Sequence, residues 1–254
     1  LKIMYYFNNI FQKVFVINLK IDEIKRELIK LKFKEANIDF EFFEAVNGYE
    51  EPYLSEFKEY YKKPFRRKGA HKLEISKKMK AIKSPGAYGY LKTWEKILCL
   101  SIENNYKNIC VFDDDVLIDK NFNLKFDNFI NEIKNKWAII NLGSTQHEWN
   151  NVKVLKKKNY YFTPENTDGS FAVAIKRNIF KELLNEVRKY NCSFDSGALR
   201  YIFEKYNGFC YTLYPAIVIA DVYKSSIREG RNLLTLSKNL RWNLDNISYK
   251  KYLN

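Results

Sequence analysis

Short apolar runs alternate along the chain with segments of helical period. Lys13 to Leu19 (KVFVINL) is apolar and β-branched and reads as a buried strand. Asp22 and Glu23 then put acid at a helix start, where the helix dipole favours it. Ile24, Leu28 and Leu31 follow at i, i+4 and i+7, and Ile29 and Phe33 widen the stripe. This predicts an amphipathic helix that Asn37 ends. Ile38 to Val46 (IDFEFFEAV) alternates in part and reads as a second strand, closed by the turn signal Asn47-Gly48. A β-α-β opening implies a crossover helix and a parallel strand pair.

Residues 50–84 break the rhythm. They hold Lys62, Lys63, Arg66, Arg67 and Lys68, then a second basic run from Lys77 to Lys83. A long excursion of this kind is functional, mobile, or a solvated insertion with no binding role. Helical period returns from Gly86 to Asn105, with Leu91, Trp94, Leu98 and Ile102 on one face. Strands are predicted at Asn108 to Phe112, Val116 to Ile118, Trp137 to Leu142, Ser170 to Ile175 and Ile217 to Ala220. Helices are predicted at Asn121 to Lys134, Arg177 to about Lys189 and Ala198 to Lys205. This alternation predicts an α/β sandwich around a mostly parallel sheet, with no internal repeat and no clean linker.

Composition narrows the class. The 254 residues are 46% hydrophobic and 17% aromatic, enough for a sizeable core and too apolar for a disordered chain. At roughly 150 residues per domain, one large domain or two small ones fit equally. No apolar run approaches membrane-spanning length, and no signal peptide opens the chain, so a cytoplasmic location is expected. The start at Leu1 suggests trimming from something longer. Cys99, Cys110, Cys192 and Cys210 have no CxxC spacing, and His71 and His147 are the two histidines, which argues against a zinc site. Buried free thiols fit a reducing compartment. Against 30 Asp and Glu stand 44 Lys and Arg, a net charge of +14. That charge suits nucleic acid, phosphates, an anionic membrane surface or codon bias alike.

Asp113-Asp114-Asp115 is the most informative feature. It follows an apolar strand and so lies at a strand's C-terminal end, the edge that carries ligand sites in open α/β sheets. In extended backbone Asp113 and Asp115 share one side while Asp114 faces away. Adjacent carboxylates repel, and a divalent cation with all-oxygen ligands relieves them. An exposed acidic turn, or a set of caps, is the plainer reading of the same three residues. A P-loop, GxGxxG and GxSxG are all absent from the sequence.

Seven blocks in order add to this: KVFVINLKIDEIKRELI, FEFFEAVNG, GAYGYLKTWEKIL, NICVFDDDVLI, NTDGSFAVAIKRNIFKELL, SFDSGALRYIF and YPAIVIADVYKSSIREG. Together, over about residues 13–230, they resemble glycosyltransferase family 25, the bacterial lipopolysaccharide glycosyltransferases and collagen galactosyltransferases. The resemblance implies a GT-A fold, Rossmann-like, as a single domain over residues 1–254 with the basic insertion at about 50–84. It implies a metal-dependent, inverting transfer of a hexose, galactose or glucose, from a UDP-sugar. The acceptor hydroxyl would belong to a glycan, a lipid-linked saccharide such as lipopolysaccharide, or a collagen-like polypeptide.

Site residues carry over position by position. The family's Glu-Asp-Asp stands here as Asp113-Asp114-Asp115, with Asp113 in place of Glu. By resemblance Asp113 and Asp115 hold Mn²⁺ or Mg²⁺ against the donor diphosphate; Asp221, which ends the apolar run AIVIA, is a candidate third metal ligand, and Asp114 a candidate for the donor site. Ile17, Asn18, Leu19 and Lys20 match the segment near the nucleotide, with Arg26 nearby. Gly86 and Gly89 match the family's glycine pair, where the backbone is expected to approach a ligand closely. Asp195 is the first candidate for the base that deprotonates the acceptor, and Asp168 the second. Each has a plainer reading: Asp195 as a helix N-cap, Asp168 as a turn residue, Asp221 as a strand-end cap, Arg26 as an exposed helix charge. Where the family carries Cys and then Ser-His, this chain has Tyr90, Thr93 and Trp94. Two other classes remain open. One is a non-catalytic GT-A domain of a longer protein, and the other a metal-dependent enzyme acting on nucleic acid; such enzymes draw their carboxylates from several separated positions, and none of their usual motifs appears in the sequence. Nucleic acid is thus disfavoured as a partner, and peripheral membrane contact stays open.

Overall fold

The structure is a computed structural model, and it describes residues 7–133, 136–154, 158–222 and 232–247. A short helix α1 (Phe7–Ile10) leads into β1 (Lys13–Asn18), α2 (Glu23–Glu35) and β2 (Glu41–Glu44). Next come α3 (Tyr53–Lys62), α4 (Lys72–Lys77), the long α5 (Pro85–Glu103) and β3 (Asn108–Asp113). They are followed by β4 (Val116–Ile118), α6 (Phe122–Ile133), β5 (Ile139–Asn141), β6 (Tyr160–Phe162) and β7 (Ala172–Lys176). The remaining elements are α7 (Phe180–Val187), α8 (Arg200–Lys205), β8 (Cys210–Leu213), β9 (Val218–Ala220) and α9 (Leu233–Leu240).

The central sheet has seven strands in the order β2-β1-β3-β7-β5-β8-β6. β1 runs parallel to β2 and β3, and β5 parallel to β8, while β7 and β6 run against their neighbours. Five strands therefore share one direction, as a βαβ-rich chain requires. β9, expected as a further strand, pairs with β4 in a separate antiparallel ribbon. β6 and β8 were not foreseen. Residues 160–162 and 210–213 are too short to show a period.

Strand alternation sorts the core into two layers. Val14, Val16, Cys110 and Phe112 face one layer with Ile29, Phe33 and Phe126. Phe15, Ile17, Ile109 and Val111 face the other, under Leu91, Trp94, Ile97 and Leu98 of α5. In α2 the buried face differs from the expected stripe. Ile29, Lys32 and Phe33 are buried, whereas Ile24 is 76% and Leu31 55% exposed. Ile29 and Phe33, both fully buried, set this face, and the Lys32 ammonium beside them donates to the Val116 carbonyl at 2.8 Å.

The basic segment 50–84 is folded. Phe57, Tyr60 and Ile82 pack into the α5 layer. Glu74, fully buried, accepts from the Tyr60 hydroxyl, from Arg67 and from the Ala81 amide. Ser84 caps α5 by accepting from the Ala87 amide, and Pro85 fills the first turn. All four cysteines are free thiols, three of them buried. Among the described residues no helix is long and apolar enough to cross a membrane.

Candidate active site

The parallel strands β1, β2 and β3 end together at one edge of the sheet, and the Asp cluster sits there. Two cavities meet at Tyr90, Asp113 and Asp115, which line both. One lobe lies over the ends of β1 and β2, with Ile17, Leu19, Lys25, Tyr49, Gly86 and Asp114 in its wall. The other lies toward α8 and α9, with Gly169, Ser193, Asp195, Leu236 and Trp242 in its wall.

The three carboxylates take different partners. Asp113 accepts a 2.9 Å hydrogen bond from the Tyr90 hydroxyl. Asp114 turns toward β1 and α2, where the Asn18 amide donates to it at 2.7 Å and the Lys25 ammonium lies 3.5 Å away. Burial, and then the Asp115 charge, raises Asp113 well above the usual carboxylate range. Burial, and then the Asp114 charge, pushes Asp115 up to about 7. Burial also raises Asp114, against the pull of Lys25 and Asn18. Burial opposes the Lys25 charge, but Asp114, Asp115 and Asp22 together raise its pKa. Burial and the neighbouring Asp113 push the Tyr90 phenol well above its ordinary value, so it remains a donor.

Asp113 and Asp115 line the junction of the lobes from a strand end, with only oxygen atoms to offer. That donor set fits Mg²⁺ or Mn²⁺, which bind through one or two carboxylates, phosphates and water. Asp221 is 3% exposed and outside the wall of either lobe, but its charge is among those that raise Asp115, so it stays close to the pair. Its amide donates to the Asp115 carbonyl at 2.6 Å, which makes it a support for the loop. Among the described residues no three acidic, His or Cys side chains form a ready metal cluster.

Asp195 reaches the second lobe on a wide helical turn (Asp195–Leu199) that leads into α8. Its carboxylate accepts from the Ser193 hydroxyl at 2.9 Å, the Ser196 amide at 2.8 Å and the Gly169 amide at 3.2 Å. Gly169 has φ +89, and a Cβ there would sit 2.3 Å from the Thr145 hydroxyl oxygen, so glycine is required for the close turn. Asp168 is outside the wall of either lobe, with its side chain 34% exposed. It is held by the Ser196 hydroxyl at 2.9 Å and the Arg200 guanidinium at 3.1 Å, which suits it to positioning α8.

Of the segment placed near the nucleotide, Ile17 and Leu19 face the first lobe. Asn18 is buried behind them and links Asp114 to Arg26, whose Nε donates to its side-chain oxygen at 3.0 Å. The Arg26 guanidinium lies 4.5 Å from the Phe42 ring centroid, outside the cavity wall, so it packs rather than faces a ligand. Lys20 is exposed on an outer shelf with Glu44. Gly86 faces the first lobe, but Gly89 serves packing. A Cβ on Gly89 would come within 2.4 Å of the Val46 carbonyl, and one on Gly48 within 1.8 Å of the Pro85 carbonyl. The two glycines let the Val46–Tyr49 loop lie on α5, and Thr93 fastens it by accepting from the Val46 amide at 2.9 Å. Trp94 is core, stacked on Phe194 with centroids 4.0 Å apart. His147 is an exposed loop residue.

Lys25, Ser193 and Trp242 were not anticipated as wall residues. Lys25 had a signal, since a cation in the first turn of a helix opposes the dipole and calls for a local acid. Trp242 had none, because it reaches the site from the far end of the chain, donating to the Ser144 carbonyl at 2.9 Å.

The model for glycosyltransferase family 25 (LPS biosynthesis protein) matches residues 11–247. The chain belongs to glycosyltransferase family 25. A protein of Acanthamoeba polyphaga mimivirus, named as a glycosyltransferase, is 32% identical to this family 25 chain over 138 residues, 52% of the chain. The match spans 37% of that relative's length. A solved glycosyltransferase involved in glycosylation of the major capsid of PBCV-1 aligns over 90% of this chain and 98% of its own, at 10% identity and TM-score 0.39. Residues 223–230 of the last resembling block lie outside the described residues.

Proposed function

We propose that this family 25 chain transfers a hexose, galactose or glucose, from a UDP-sugar to a hydroxyl of a glycan, lipid-linked saccharide or polypeptide acceptor, with Mn²⁺ or Mg²⁺. The observation that carries this reading is the position of Asp113 and Asp115 where the two lobes meet. The lobe over β1 and β2 is assigned to the donor, and the lobe toward α8 and α9 to the acceptor.

Asp113 and Asp115 would hold the cation, and Tyr90 fixes the Asp113 carboxylate through its hydroxyl. A cation held there would supply Lewis-acid stabilisation of the charge that grows on the leaving diphosphate. Lys25, on the donor-lobe wall, adds a second positive charge beside the same oxygens. Asp195, held by three donors in the acceptor lobe, takes the proton from the attacking hydroxyl. The new bond forms between that oxygen and the anomeric carbon. The bond from that carbon to the phosphate oxygen breaks, UDP leaves with the electron pair, and configuration inverts.

The test is release of UDP from a panel of UDP-sugars with added acceptor hydroxyls, in Mn²⁺ and in EDTA. Turnover of one donor in Mn²⁺, lost in EDTA and in Asp115→Asn, supports the reading. Absence of turnover for every donor, with no binding of UDP, removes it.

A further inference from the structure

The α3–α4 segment has a charge pattern that the proposed transfer does not use. Among residues 61–83, ten are Lys or Arg and one is acidic, Glu74. That single acid is fully buried and consumed internally by Tyr60 and Arg67. The remaining cations therefore face outward without an acid of their own segment, apart from the buried Lys80, which donates to the Lys63 carbonyl. Lys62 pairs with Glu59 one turn earlier on α3. The backbone beneath is anchored by the Glu74 network and by Phe57, Tyr60 and Ile82 in the core.

Large apolar side chains stand among these lysines. Tyr61 is 54%, Phe65 42%, Ile75 42% and Met79 43% exposed. Tyr61, Phe65 and Met79 line one shallow concavity together with Lys63, Lys78 and Lys83. Exposed apolar side chains clustered in a patch mark a binding surface. A soluble polyanion would satisfy the lysines and leave Ile75 and Met79 in water. A bilayer with anionic headgroups satisfies both, because apolar side chains enter the headgroup–acyl boundary while lysines meet lipid phosphates.

We propose that the α3–α4 surface docks on an anionic lipid bilayer, with Phe65 and Met79 inserted at the interface. This inference does not depend on the donor, the metal or the transfer reaction.

The experiment is sedimentation of the full chain with vesicles of phosphatidylcholine, with and without phosphatidylglycerol. Two variants accompany it, Lys77→Glu/Lys78→Glu/Lys83→Glu and Phe65→Ser/Met79→Ser. All five positions are exposed, so both variants are expected to keep the wild-type melting temperature. The wild type should partition at least about tenfold better onto anionic vesicles, and the charge-reversed variant should lose that preference. The Phe65→Ser/Met79→Ser variant should bind anionic vesicles several-fold more weakly at the same salt. Equal partition onto both vesicle types overturns the proposal, as does an unchanged charge-reversed variant. Wild-type binding by the Phe65→Ser/Met79→Ser variant also overturns it, and leaves a soluble polyanion as the ligand.

Discussion

Removing one carboxylate from the Asp cluster should stabilise the metal-free protein, and only above a certain pH. Burial and the Asp114 charge move Asp115 from an ordinary 3.8 to about 7. Three units at 1.36 kcal/mol each set a ceiling of about 4 kcal/mol. Asp115 is partly open to the cavity, and solvent screening reduces that to about 1–2 kcal/mol. The sign follows from proton linkage. The folded state holds the Asp115 proton more tightly than the unfolded state, so stability falls as pH rises from about 4 through about 7. Asp115→Asn keeps the shape and cannot ionise. In EDTA its advantage over the wild type should be near zero at pH 4, grow through pH 7 and level off above. At about 2–4 °C per kcal/mol, thermal unfolding at pH 8 should show a gain of about 2–8 °C. A difference that does not vary with pH, or a variant less stable at pH 8 than at pH 5 relative to wild type, would refute the reasoning.

Other positions give independent tests. Gly89→Ala places a Cβ 2.4 Å from the Val46 carbonyl, a backbone atom that cannot swing aside, and should cost about 1–3 kcal/mol in urea unfolding. Arg67→Met leaves Glu74 buried without its cation and should cost ~3 kcal/mol at pH 7. Burial opposes the Glu74 charge, but Tyr60 and Arg67 hold its carboxyl below the usual range, so the Arg67→Met penalty should fade as pH falls below about 4.5. Tyr90→Phe removes the donor to Asp113 and should weaken metal-dependent UDP binding about tenfold, read by calorimetric titration. Lys25→Met removes the donor-lobe cation and should weaken UDP binding by about tenfold in the same assay.

Much of the site was legible because its parts are local in sequence. The apolar run from Asn108 and the acids that end it are contiguous, so the cluster could be placed at a strand end; Asp113 and Asp115 both line the cavities, although Asp114 and Asp115 form the turn into β4 rather than the extended backbone the alternation assumed. The βαβ opening was legible for the same reason. What escaped depended on distant partners. Lys32 reaches the Val116 carbonyl across 84 residues of chain, and α2 buries Ile29 and Phe33 of its apolar stripe while Ile24 and Leu31 stay exposed. Gly89 looked like a ligand contact, but its neighbour is the Val46–Gly48 backbone, which sequence spacing does not reveal. Asp168 and Asp195 lie in similar Gly- and Ser-rich turns, yet Asp168 pairs with Arg200 outside the cavity wall while Asp195 lines the cavity. Asp221 follows an apolar strand just as Asp113 does, and it is buried outside the cavity wall with its charge still acting on Asp115. Trp242 and Leu236 enter from the chain's far end, beyond any local signal.

Calorimetric titration of UDP into the wild type and Asp115→Asn, each with Mn²⁺ and with EDTA, tests the donor–metal site most directly. The account predicts that UDP binds the wild type in Mn²⁺, at least about tenfold more weakly in EDTA, and that Asp115→Asn removes the difference. Equal UDP affinity in all four titrations would contradict a metal held between Asp113, Asp115 and the donor diphosphate.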